Sequence, residues 1–266
     1  LSRLGSGEEP REAFAASFGD LATLEDEVDQ HIRGAISSLK SQSPIAMKGD
    51  VTVTSLDRVA SQLVPLKIKR RVGRGRELVA EELRAFAAEH PDRPDVLAEW
   101  ALAEFAVAEK ADEPDYTAAL AATDAALALH YNHARMLLLK AQISIENLAN
   151  ADEVTDEQWT QIGSLISRSY TADPTIPLTH VVNYRSFVEQ SSRPPVEVIN
   201  ALGEALMLAP EARDIRLQYA WALANEDAFD DAIHLVKFLA SDPHQGGMGR
   251  NVLRQLEEYR DRRMGQ

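Results

Sequence analysis

Two histidines stand three residues apart in His130-Tyr131-Asn132-His133, the one closely spaced pair of imidazoles in the chain. Imidazoles at that spacing could share a metal. A structural zinc site needs about four ligands, however, and no further ligands lie nearby in sequence. Zinc-assisted hydrolysis would require His-Glu-x-x-His, which does not occur. The pair therefore reads as a solvated turn, and no metal site is expected. Adjacent carboxylates such as Asp230-Asp231 and Glu257-Glu258 have no nucleophile or histidine beside them to suggest tuned acidity. Gly73-Arg74-Gly75 lacks the preceding strand and the Gly-Lys-Ser/Thr ending of a phosphate loop. No catalytic residue and no cofactor is expected from these patterns.

The densest charge run is Lys67-Ile68-Lys69-Arg70-Arg71-Val72-Gly73-Arg74-Gly75-Arg76. Its cations Lys67, Lys69, Arg70, Arg71, Arg74 and Arg76 could form a patch for an anion, a membrane surface or an acidic partner. The plainer reading is a solvated turn between two helices, since charge runs are usually just exposed. Residues 1–76 carry 12 basic and 10 acidic side chains, whereas residues 77–266 carry 16 and 32. So acidic an array repels phosphate backbones, which argues against nucleic acid as a partner.

The elements that position these groups are helical. Apolar residues make up 45% of the 266, aromatics only 6%, and mean hydropathy is −0.27, with Ala and Leu dominating. That composition favours helices and a substantial core. No run approaches the ~20 apolar residues of a membrane span. The absence of cysteine excludes disulfides and thiolate metal sites. The opening Leu1 to Gly7 lacks an initiator Met and the apolar core of a signal peptide, which reads as a fragment or processed form and leaves the compartment undecided.

Helix stops recur at His90-Pro91, His130-Tyr131, Asp173-Pro174, Ala209-Pro210 and Asp242-Pro243. Their successive spacings suit helix pairs of a solenoid, whose commonest short form repeats at about 34 residues. Proline cannot continue a helix and restricts the residue before it. Each interval holds two amphipathic segments around a short turn. Phe229, Ala232, Ile233, Val236 and Leu239 share one helical face, as do Tyr116, Ala119, Leu120, Thr123 and Ala126. Met248 to Arg263, with Val252, Leu253, Leu256 and Tyr259 on one side, reads as a capping helix of the kind a solenoid needs.

An aromatic before the second helix (Tyr116, Phe229), small residues after it (Ala119, Ala126, Ala232), the closing proline and small residues in the first helices (Ala101, Ala141, Ser186, Ala220) resemble the tetratricopeptide repeat family. The resemblance covers residues 75–245. It implies an all-α, right-handed superhelical array of antiparallel helix pairs, a TPR-like α-solenoid with a C-terminal capping helix. The expected division is a helical extension over 1–50, about five irregular pairs over 51–245, and the cap and tail over 246–266. The acidic insertion 150–157 and the Ser191-Ser192-Arg193-Pro194-Pro195 turn depart from the pattern.

The family's implied function is protein or peptide binding on a concave face lined by the first helices, self-association included. Superposing those helices on their small residues places Leu102, Gln142, Phe187 and Trp221 next in line. Leu138, Asn183 and Leu217 lie three residues before the small ones, and Arg135 and His180 six before. Apolar and hydrogen-bonding groups alternating in this way suit an extended or helical peptide. Phe187 and Trp221 are either anchors in such a groove or rings packed between helices.

Residues 11–33, with a stop at Gly19, a cap at Asp20 and apolar Leu21, Leu24, Val28 and Ile32, resemble the closing helices of bacterial peptidase-MA-like gluzincin domains. That resemblance implies an alternative function: a non-catalytic accessory domain of a metallopeptidase whose zinc domain lies upstream.

Overall fold

The computed structural model describes residues 55–151, 153–241 and 246–265, together with the isolated positions Ala16, Asp20, Thr23 and Asp26. The rest of the 11–33 stretch, the expected boundary near residue 50, and Asp242 and Pro243 of the fifth stop lie outside the described residues. Contacts divide the chain into two units, Leu1–Ser55 and Leu56–Gln266. In the first, the carboxylate of Asp20 accepts a hydrogen bond from the Thr23 amide at 3.2 Å. This is the N-cap geometry expected there.

The second unit is all-α. Its helices are α1 (Arg58–Val72), α2 (Arg76–Glu89), α3 (Pro94–Ala108), α4 (Thr117–Leu129), α5 (Ala134–Ala149), α6 (Asp156–Ala172), α7 (Pro177–Glu189), α8 (Val196–Leu208), α9 (Arg213–Asn225), α10 (Phe229–Ala240) and α11 (Gly246–Met264). No strand occurs among the described residues. None of the described helices is long and apolar enough to cross a membrane.

Local chemistry sets the helix ends. Asp57 caps α1 by accepting from the Ala60 amide at 2.8 Å. Pro94 and Pro177 open α3 and α7, where a missing N–H costs nothing. Thr155 and Gln158 form a reciprocal capping box on α6, so the acidic insertion ends in a well-defined helix start. Gly73 closes α1 in the left-handed conformation that its lack of Cβ permits. The helices α2, α4, α6 and α8 stop at Glu89, Leu129, Ala172 and Leu208, each immediately before one of the expected punctuation points.

Each helix packs on the next, and α1 with α3, α5 with α7 and α9 with α11 pack as alternate neighbours. The core accordingly breaks into a relay of clusters. Leu63, Val79, Leu83, Val96, Met136 and Leu139 join α1 to α5. Leu138, Ile145, Ile162, Ile166 and Val182 join α5 to α7. Tyr184, Ile199, Leu202 and Ala222 join α7 to α9. Phe229, Ile233, Val236 and Leu256 join α9 to α11. Cohesion by nearest neighbours is what makes an array of helix pairs a solenoid. The small residues Ala101, Ala141, Ser186 and Ala220, and Ala119, Ala126 and Ala232 on the second helices, are all buried.

The terminal helix α11 seals the last pair. Leu256 is fully buried, and Val252, Leu253 and Tyr259 pack around it against α9 and α10. Gly249 is buried where α11 crosses the end of α10. A Cβ there would lie 2.5 Å from the Ala240 nitrogen and 2.5 Å from the Leu239 carbonyl carbon.

Candidate functional site

The first helices of the pairs, α3, α5, α7 and α9, must share a register before their side chains can form one surface. Ala101, Ala141 and Ala220 each stand seven residues after the first residue of their helix, but Ser186 stands nine after Pro177. The residue seven after Pro177 is Tyr184, which is buried in the α7–α9 cluster. At about 100° per residue, a two-residue offset turns a side chain through about 200°.

Arg185, one residue after Tyr184, donates from Nη1 to Glu146 of α5 at 2.5 Å and from Nε to Glu189 at 3.3 Å. Trp221, one residue after Ala220, lies 6.4 Å from the Tyr259 ring of α11. Leu102 and Gln142 occupy the same step on α3 and α5. Leu102, Gln142, Arg185 and Trp221 thus stand eight residues after the first residue of α3, α5, α7 and α9, whereas Phe187 stands ten after Pro177.

His180 and Asn183 instead face the second helices. They line a cleft of about 390 Å³ with Tyr170 of α6 and Glu197 and Glu204 of α8. Phe187 is half-buried, and its carbonyl accepts from both the amide and the hydroxyl of Ser192 at 3.0 Å. Leu138 is 2% exposed within the α5–α7 cluster, which makes it core rather than groove surface. Leu102 and Leu217 are half-buried against the first and last clusters. Arg135 is exposed and borders a cleft of about 650 Å³ with His130, Asn132, His133 and Asp173. Leu138 is therefore buried, while Arg135, His180, Asn183 and Trp221 line three separate clefts.

Trp221 stands at a cleft between α9 and α11. With Asn225 it forms one wall of a cleft of about 480 Å³ whose other wall is Gln255, Glu258, Tyr259 and Arg262 of α11. Sequence reasoning missed the α11 half, although the aromatic Tyr259 among charged residues is a legible sign of a helix with two working faces.

The basic run is partly neutralised within the fold. Arg70 Nε donates to Glu99 at 2.8 Å, Lys67 lies 3.8 Å from the same carboxylate, and Lys69 pairs with Glu82 at 2.7 Å. Glu99 is only 7% exposed. These cations compensate a carboxylate that α3 carries inward. Among the described residues, Arg71, Arg74 and Arg76 form no ion pair and stay exposed. A second buried carboxylate, Glu104, accepts from Trp100 Nε1 at 2.7 Å and from Arg84 at 2.7 Å.

His130 and His133 do come together, with ring centroids 5.4 Å apart, and among the described residues no third metal-ligating side chain joins them. Burial is the main cause that holds His133 below the ordinary 6.5, with the neighbouring His130 adding to it. Burial likewise lowers His180, and Glu204 opposes the shift. A histidine kept neutral in the fold binds its proton more readily when unfolded. Stability is therefore complete above about pH 6.5 and falls as pH drops below it. The expected result is a melting temperature that decreases from neutral to mildly acidic pH, with a shallower slope in the His133→Gln/His180→Gln double variant. An equal slope in that variant would assign the effect elsewhere.

No family model matches the chain, and no curated protein matches it. Among solved structures, one titled "MamA RS-1 ArsTM double mutant" aligns at 14% identity and a TM-score of 0.45, covering 78% of this chain and 99% of that one.

Proposed function

We propose that this array is a protein- or peptide-binding scaffold that performs no chemistry of its own and receives its partner on the inner face of the first helices. The observation that carries this reading is the Trp221 cleft, where a half-exposed indole stands beside Asn225, Tyr259 and Arg262. Aromatic and arginine side chains around a pocket are the usual anchors of a protein interface. Farther along the same face, Arg185 and Glu146 supply a hydrogen-bonding step, and Gln142 and Leu102 extend it. Polar and apolar groups alternating along helices suit an extended or helical peptide. The non-catalytic half of the proposal is supported by the buried carboxylates. Glu99 and Glu104 are engaged by arginine, lysine and tryptophan, not by a nucleophile.

The test is selection of binding peptides from a random library, followed by affinity measurements on variants. Trp221→Ala should weaken the selected peptides by about 30-fold, the effect of losing one anchor of about 2 kcal/mol. Arg185→Ala should weaken them less, since Glu189 and Glu146 remain exposed enough to be solvated. Thermal denaturation comes first, because a ring acting only as core would show its loss in stability. Peptides that bind the Trp221→Ala protein with unchanged affinity would place the partner on another surface.

A further inference from the structure

The outer cleft between α6, α7 and α8 has a polar floor and an acidic, aromatic rim. Thr179 lies on the floor, 2% exposed, and its hydroxyl has no hydrogen-bond partner among the described residues. A buried hydroxyl left unpaired is costly, and groups of this kind mark places where a ligand supplies the missing bond. Beside it, His180 is 8% exposed and touches the Tyr170 ring edge-on at 5.5 Å. Asn183 completes the floor with an amide. The rim carries Tyr170, 45% exposed, and the exposed carboxylates Glu197 and Glu204. Among the described residues neither carboxylate is held by an ion pair, in contrast to Glu99, Glu104, Glu146 and Glu226. The cleft holds no lysine or arginine of its own.

We infer that this cleft is a binding site for a cationic side chain on an apolar stem, specifically an arginine presented by a partner protein. The two carboxylates would receive the guanidinium, whose fixed fork of donors matches them. Tyr170 offers its face to the same group. Thr179, His180 and Asn183 supply acceptors at the floor, and burial, which keeps His180 neutral, leaves its ring one nitrogen free to accept. The stem would lie along Ile166 and Ala201 on the walls. Residues 77–266 carry 32 acidic against 16 basic side chains. The surrounding field therefore attracts such a partner. This site is on the opposite side of α7 from the inner face, and its failure leaves the peptide-groove reading untouched.

The experiment is an NMR titration of the whole chain, following the His180 imidazole and Thr179 methyl resonances. The probes are argininamide, citrullinamide, which differs only in carrying an uncharged urea in place of the guanidinium, spermidine, and an arginine-containing peptide, Gly-Ser-Arg-Ser-Gly with blocked ends. Argininamide should shift both resonances saturably and citrullinamide should leave them in place, with the peptide binding at least as tightly as argininamide. Glu204→Gln and Glu197→Gln should each weaken argininamide by about tenfold, as loss of one charge-assisted hydrogen bond predicts. Thr179→Val keeps the shape of the side chain and removes only the hydroxyl. It should weaken the ligand severalfold while melting at or above the wild-type temperature. Equal shifts with citrullinamide, affinities unchanged in the carboxylate variants, or spermidine binding more tightly than the arginine peptide would each overturn the assignment.

Discussion

Gly249→Val is expected to destabilise the protein by about 3 kcal/mol, at the upper end of what overpacking a tight site costs. The new side chain would have to occupy space held by backbone, with the Ala240 nitrogen and the Leu239 carbonyl carbon each 2.5 Å from its Cβ. Backbone cannot rotate aside as a flexible side chain does, so α11 must lift from the end of α10. That movement would uncover Leu256 of α11 together with Phe229 and Val236, against which it is buried. Gly247 provides the control within the same turn, because a Cβ there meets only the Arg250 guanidinium at 4.0 Å. Gly247→Ala should be neutral or stabilising by up to about 1 kcal/mol, the usual gain of alanine over glycine inside a helix. Chemical denaturation of the two variants checks the pair of expectations. Equal stabilities would mean that α11 does not close the array in the way its contacts indicate.

Arg70→Ala carries the second large effect, a loss of about 3 kcal/mol. Its guanidinium is 15% exposed and Glu99 is 9% exposed by side chain, so their 2.8 Å contact is shielded from solvent. Removing the arginine leaves a buried carboxylate facing only Lys67 at 3.8 Å. The cost is the penalty of stranding that charge, not the net worth of the pair, and it should vanish when the charge goes too. Arg70→Met/Glu99→Leu is therefore expected to recover most or all of the lost stability in the same denaturation experiment. Arg74 and Arg76 are exposed and without ion pairs among the described residues. Replacing either by alanine should change stability by less than about 0.5 kcal/mol. A similar loss for all three arginines would mean that the basic segment acts as a collective field and not through Arg70.

Helix order and helix ends were legible in the sequence because they depend on chemistry local to each end. Pro91, Pro174 and Pro210 each follow a helix end by two residues, although Pro65 lies inside α1. The apolar spacing on α10 survives unchanged as the buried set Phe229, Ala232, Ile233, Val236 and Leu239. The cap at Asp20 and the buried small residues Ala101, Ala141 and Ala220 follow from the same kind of local logic. Even the acidic insertion before α6 was visible as an interruption, although the capping box that ends it was not singled out.

What the tertiary structure decided was which way each helix faces and which charges it turns inward. Periodicity defines a stripe but not its bearing. On α7 both Tyr184 and Ser186 are buried, although about 200° of helix rotation separates them. Spacing alone does not show that Tyr184 packs with Ile199, Leu202 and Ala222 while the Ser186 hydroxyl donates to the Asn183 carbonyl. His180 and Asn183 line a cleft with α6 and α8, while Arg185 pairs with Glu146 of α5. The basic run behaved in the same way. Its composition announces exposure, yet Arg70 turns toward Glu99. A charge buried on one helix can be compensated only by a neighbour in space, and that neighbour lies two helices away in the chain, where linear spacing does not reveal it.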